Sequence, residues 1–228
     1  MKLSFVLPLA AVLSLTACES RGQQDTGAPA ARAPAAAATT QEPRLVPLPG
    51  KTAPALTQVT KVRLATTGGD VVIEVYPQAA PNAAKRFVEL VTSGFYDETP
   101  ISRVVPGFVA QFGINWREPH NAWDKRPFND DPSLFALGRG TLAFAKGGPN
   151  TNSTQVFINY GDNSRLTVPQ MNFSAFAKVV EGMDVVDKFV QVGDPSMGLD
   201  QNRLWADGGN YLASLPVKPT MIEKATVE

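Results

Sequence analysis

Beyond Val59 the chain is divided into apolar runs too short for ordinary helices, each stopped by glycine, proline or asparagine, and this punctuation constrains the fold most strongly. Residues 59–66 alternate in polarity, Gly68-Gly69-Asp70 supplies a turn, and 71–76 form a second run rich in β-branched residues, the pattern of a hairpin. Further strands are predicted over 102–105, 108–112, 141–145, 155–159, 174–180 and 221–227. Helical spacing is confined to two stretches. In 81–91, Ala84, Phe87, Val88 and Val91 share a face behind Pro81, and Gly94 closes the segment; in 182–190, Met183, Val186 and Val190 share a side. Many short strands with two helices predict a mainly β fold, a closed antiparallel barrel of about eight strands capped by two α-helices, with an antiparallel sandwich as the alternative.

Composition removes several classes of function. Lys plus Arg and Asp plus Glu both number 21, so no net field favours nucleic acid, and no segment resembles a nucleic-acid platform. With one histidine, His120, and one cysteine, Cys18, a structural zinc site lacks its usual ligands and an internal disulfide has no second thiol. No metal and no organic cofactor is expected. Nucleophile-elbow, zinc-protease and dinucleotide-binding motifs are absent. Gly50-Lys51-Thr52 has Leu45 where a phosphate loop needs its first glycine, and no strand precedes it. A hydrolytic triad would depend on His120, which sits in a polar, Pro-flanked loop. Asp130-Asp131, ahead of Pro132, reads as a solvated loop pair or a helix cap rather than a cation site.

The N-terminal region reads as an address. Lys2 precedes an apolar run over 3–15 that Pro8 interrupts and that is too short to span a bilayer, as in a secretion signal. Leu15-Thr16-Ala17-Cys18 resembles the bacterial lipobox, which implies cleavage before Cys18 and attachment of lipid to its thiol. Glu19, rather than aspartate, favours the outer membrane facing the periplasm. Residues 19–57 are rich in Ala, Pro, Thr and Gln, and Pro29, Pro34, Pro43, Pro47 and Pro49 interrupt any Ala-rich helix. The expected organisation is a signal peptide over 1–17, a lipidated Cys18 with a disordered tether to residue 57, and one domain over 58–228. Contact with the membrane is expected through the lipid anchor only.

Two segments carry the chemistry. The first contains Arg103-Val104-Val105-Pro106-Gly107-Phe108-Val109-Ala110-Gln111, the second Gly148-Pro149-Asn150-Thr151-Asn152-Ser153-Thr154-Gln155-Val156-Phe157. Both resemble signature segments of the cyclophilin-type peptidyl-prolyl cis-trans isomerases, and the likeness extends from about Val59 to Val192. The resemblance implies acceleration of X-Pro isomerisation by non-covalent stabilisation of the twisted amide. It implies a catalytic role for Arg103, a proline pocket containing Phe108, Val109, Phe157 and Leu166, and Gln111 holding the substrate backbone and orienting the arginine. It further implies that the backbone at Ala145, Lys146 and Gly147 pairs with substrate. Taken singly, Phe108, Phe157 and Leu166 also fit barrel core, and Arg103 a surface charge.

The sequence departs from the family pattern at four places. Ser102 stands where many members have histidine, Lys146 where many have asparagine, and Arg165 where an aromatic residue is usual. The loop over 167–172 lacks the usual histidine, so Met171 or Phe173 is expected to cover that side of the pocket. These changes leave a second reading, a non-catalytic chaperone or scaffold module that binds Pro-containing peptides. The expected partners are Pro-containing segments of envelope proteins, met by a monomer. An insert over 115–131 with Trp116 and Trp123 falls near the site, and 193–216 reads as a polar, Gly-rich surface excursion.

Overall fold

Thr66 and Gly69 face each other across the turn of the first hairpin, and Gly69 takes φ +126°, a conformation that favours glycine. This hairpin, β1 (Thr60–Thr66) and β2 (Gly69–Val75), opens a computed structural model that describes residues 44–228. The signal, the lipobox with Cys18 and the tether as far as residue 43 lie outside the described residues. The remaining strands are β3 (Thr99–Val105), β4 (Val109–Phe112), β5 (Thr141–Phe144), β6 (Val156–Asn159), β7 (Ala177–Glu181) and β8 (Met221–Val227). They form a closed barrel in the order β1-β2-β7-β5-β6-β4-β3-β8, every pairing antiparallel, with β8 returning to β1. Closure leaves no strand edge unpaired along the ring.

The two predicted helices pack against the barrel core. Helix α1 (Pro81–Thr92) turns Ala83, Ala84, Phe87, Leu90 and Val91 inward, and Phe87 meets Tyr96 and Phe176 with ring centroids 5.5 and 5.2 Å apart. Its N-cap, Ala80, has no side chain able to accept a bond; instead the Asp131 carboxylate accepts the N–H groups of Asn82 (3.1 Å) and Ala83 (2.9 Å). Asp131 thus caps a helix about fifty residues earlier in the chain, not the segment at Pro132. Helix α2 (Met183–Val186) is shorter than the predicted 182–190, and i to i+3 bonds continue the turn to Phe189.

The excursion contains a third helix, α3 (Gln201–Ser214), which the sequence reading missed because Gly208-Gly209 interrupt its pattern. Asp200 caps it by accepting from the Arg203 N–H, and a kink at Asp207 divides it. Leu204, Gly208 and Tyr211 are buried, and Trp116 from the insert lies so close over Gly208 that a β-carbon there would strike the indole. The excursion therefore packs Leu199, Leu204 and Tyr211 with Ile114, just ahead of the insert, and the insert joins this cluster through Trp116 at its margin.

The last part of the predicted tether lies on the barrel. The Leu48 N–H donates to the Leu134 carbonyl (2.9 Å), the Ala136 N–H donates to the Val46 carbonyl (2.8 Å), and Leu45, Ala53 and Leu56 pack against the outer apolar cluster that contains Phe135. These leucines supply the apolar contact that the Ala/Pro-rich composition farther upstream lacks. Removal of residues 1–57 should therefore destabilise the domain by about 2–4 kcal/mol relative to removal of residues 1–43, through lost burial of Leu45, Leu56 and Phe135. Urea denaturation of the two truncated proteins measures the difference; equal midpoints would mean that this segment contributes nothing.

Candidate active site

Strand alternation assigns the two faces of the barrel wall. Ala110 and Phe112 of β4, Leu142 and Phe144 of β5 and Val156 and Ile158 of β6 enter the core, whereas Val109, Ala143 and Phe157 join a second apolar cluster on the outer face. On β3, Ile101 pairs with Phe112 but Arg103 pairs with Gln111, so Ser102 is the extra residue of a β-bulge. Strict alternation would turn Arg103 inward with Ile101. The bulge turns it outward, and the pairings Arg103 with Gln111, Gln111 with Phe157 and Phe157 with Ala143 set a cation, an amide and an aromatic ring in one row.

That row floors a cleft of about 270 Å³. Phe108, Val109 and Leu166 share its lining with Arg103, Gln111 and Phe157. The Asn163 side-chain amide and the Tyr160 N–H both donate to the Phe108 carbonyl at 2.9 Å, which fixes the turn that presents the ring. Phe108 lies between two guanidinium groups, 5.5 Å from Arg103 and 5.1 Å from Arg165. Met171 and Phe173 both reach the cleft, where Phe173 meets Phe157 with centroids 5.8 Å apart. They stand on the side for which the sequence offered no histidine.

Arg103 is tethered on two sides. Its Nε–H donates to the Ser196 carbonyl (2.7 Å) and its Nη1 to Gln111 Oε1 (3.3 Å). Burial lowers its pKa, but a guanidinium starts so far above neutrality that it stays charged. The Ala145 N–H is bonded to the Gln155 carbonyl (2.8 Å), and Ala145 and Lys146 line the cleft. Gly147 is exposed outside the cleft lining, its N–H held by Thr151 Oγ1 (3.1 Å) within the turn. Among the described residues no group of three His, Cys, Asp or Glu side chains could hold a metal ion.

Lys146 forms the most buried ion pair of the site. Its ammonium lies 2.7 Å from Asp130, with the two side chains 3% and 12% exposed, and also donates to the Asn172 carbonyl (3.1 Å). Asp130 is therefore not a solvated loop residue. Burial is the largest single influence on its carboxyl and raises the pKa; hydrogen bonds from Lys146, the Asn150 backbone N–H and the Asn152 amide, together with the Lys146 charge, outweigh it and hold the pKa below the usual value. The contact with Asn172 pins the loop that carries Met171 and Phe173.

Four further residues reach the site. Ser196, Met197 and Gln201 come from the excursion, and Gln155 from the second signature segment. Gln155 lay within a motif already singled out. Nothing in the spacing of 193–216 relates that segment to Arg103, because the contact spans 93 residues.

A closed antiparallel barrel with a small apolar cleft and a tethered guanidinium at its edge defines a class of proteins, and comparison with known proteins identifies it. The family model described as cyclophilin type peptidyl-prolyl cis-trans isomerase/CLD matches residues 61–223. Peptidyl-prolyl cis-trans isomerase A of Dickeya dadantii is 35% identical over 178 residues, covering 76% of this chain and 87% of that one. Peptidyl-prolyl cis-trans isomerase B of Escherichia coli is 32% identical over 169 residues, covering 71% and 96%. A solved cyclophilin-type isomerase of Cryptosporidium parvum shares the fold with TM-score 0.55 at 24% identity, over 75% of this chain and 98% of that one. The chain belongs to the cyclophilin-type peptidyl-prolyl cis-trans isomerase family. Its activity is the isomerisation of peptidyl-prolyl bonds.

The Lys146–Asp130 pair yields a stability prediction. Asp130→Asn should lower stability by about 3–5 kcal/mol, because a buried ammonium loses its counter-charge. The depressed carboxyl pKa contributes stability that is fully present above the unfolded aspartate value, about 3.9, and is lost as pH falls through the folded one. On acidification through that window, wild-type protein should therefore lose more stability than Asp130→Asn. Chemical denaturation at several pH values tests both points; parallel pH curves would rule out the linkage.

Proposed function

We propose that Arg103 accelerates X-Pro isomerisation by binding the twisted amide more tightly than either planar form. Rotation breaks amide resonance across a barrier of roughly 18–20 kcal/mol and returns a lone pair to the prolyl nitrogen. The single observation that carries this reading is a guanidinium held by two hydrogen bonds at the edge of an apolar cleft. A guanidinium has five N–H donors, and these bonds use two, so three are left for substrate. The proline ring sits on Phe108, Phe157 and Leu166, which exclude water and strengthen the donor's action on the nitrogen. Fixing the cation beforehand reduces the reorganisation needed as the bond twists. No proton moves and no covalent intermediate forms.

The substrates we propose are Pro-containing segments of envelope proteins, reached by a monomeric enzyme anchored through Cys18 in the outer membrane and facing the periplasm. The lipobox-like Leu15-Thr16-Ala17-Cys18 and the composition that follows support this location.

Arg103→Ala should lower kcat/KM on an Ala-Pro peptide by about a hundred- to a thousandfold while peptide binding largely survives. A protease-coupled isomerisation assay beside a titration of the same peptide separates the two, and undiminished turnover would overturn the mechanism. For the location, the full chain expressed in a bacterial host should incorporate radiolabelled palmitate, and Cys18→Ser should not. An unlabelled wild-type chain, or equal label in Cys18→Ser, would exclude anchoring through this cysteine.

A further inference from the structure

The excursion after α2 contributes more than a wall of the cleft. Asp194 and Gly198 exchange backbone hydrogen bonds at 2.8 Å in both directions, and Asp194 Oδ1 accepts the N–H groups of Ser196 and Met197, each at 2.8 Å. These bonds close the loop and aim the Ser196 carbonyl at Arg103 Nε. It approaches β3 very closely: a β-carbon at Gly198 would lie 2.7 Å from the Arg103 Cα, and the Leu199 N–H donates to the Ser102 carbonyl at 2.8 Å. The bulged residue thus offers its carbonyl to the excursion while the next residue offers its side chain.

A second connection runs through three amides. Arg103 Nη1 donates to Gln111 Oε1, Gln111 Nε2 donates to Gln155 Oε1 (2.8 Å), and Gln155 Nε2 donates to Gln201 Oε1 (3.1 Å). The direction of this chain follows from its first member. A guanidinium can only donate, so Gln111 must turn its oxygen toward Arg103 and its NH2 away, and each following amide must do the same. Gln201, the first residue of α3, is the terminal acceptor. Its backbone is secured by the helix, whose Tyr211 hydroxyl accepts the Asp200 N–H (3.1 Å) and whose Gly208 receives Trp116.

We propose that Gln201 is a positioning residue of the isomerase: as terminal acceptor of a one-way amide chain it orients Gln111, and with the Ser196 carbonyl it holds the Arg103 guanidinium at the cleft. The inference rests on the catalytic reading of Arg103 for its kinetic consequence only; the orientation of Gln111 is independent of that reading. The chemistry at position 201 is specific. Glutamate keeps an acceptor for Gln155, alanine removes it, and lysine sets a donor against a donor.

The test uses the purified full chain with Gln201→Ala, Gln201→Glu and Gln201→Lys. Steady-state isomerisation of an Ala-Pro peptide gives kcat and KM, and 1H–15N spectra report the side-chain amide of Gln111. Loss of one such hydrogen bond should lower kcat by about 2- to 10-fold with KM little changed in the alanine and lysine variants. The Gln111 amide signal should shift in both, and glutamate should restore its position and most of kcat. An unmoved Gln111 signal in Gln201→Ala, or a glutamate variant as impaired as the lysine one, would overturn the proposal. If instead the signal shifts as described while Arg103→Ala remains active, the amide chain stands and the catalytic reading of Arg103 fails.

Discussion

The bulge at Ser102 is the constraint on which the site depends. Arg103 faces out of the barrel because two residues of β3 span one step of β4 between Ile101 and Arg103. A one-residue slip would send the guanidinium into the core beside Phe112 and turn the row formed with Gln111 and Phe157 out of register. Barrel closure prevents such a slip, since β3 is paired with β4 on one side and with β8 on the other. The chemistry is therefore laid on the outer wall of a structure whose inner wall is ordinary apolar core. The same period of two that fills the barrel supplies the floor of the cleft.

Much of this architecture was legible in the sequence. Alternation and glycine turns located the eight strands within a few residues, because those patterns are local consequences of the pleat. The signature segments led to Arg103, Gln111 and Phe157, and the cleft gathers them with the apolar residues expected beside them. The bulge was not legible, for an alternating reading from Ile101 places Arg103 inside. Helix α3 was hidden by Gly208-Gly209, whose lack of side chains depresses helical propensity, though at Gly208 it makes room for Trp116. Partners such as Lys146 with Asp130, or Leu48 with Leu134, are set by tertiary approach, and no spacing rule relates them.

Two of the departures from the family pattern lie in contact with one another. The lysine at 146 reaches Asp130 and the Asn172 carbonyl, so it organises the loop in which histidine is missing. That loop then brings Phe173 against Phe157. Arg165 stacks on the face of Phe108 where an aromatic neighbour would otherwise be expected. Ser102 puts a small side chain at the bulge, buried and bonded to the Gln111 carbonyl at 3.3 Å. Lys146 and the histidine-free loop thus form one connected pair, while Arg165 and Ser102 each contact a residue that keeps the family pattern, Phe108 and Gln111.

Strand β8 closes the ring by pairing with β1 and with β3. During synthesis from the N-terminus both of those strands emerge long before their common partner. The nascent domain therefore carries two open sheet edges for most of its elongation, and neither can be satisfied by anything already made. Until β8 arrives, those two edges are the places at which another chain could add a strand, so the last seven-residue strand decides whether the sheet closes on itself.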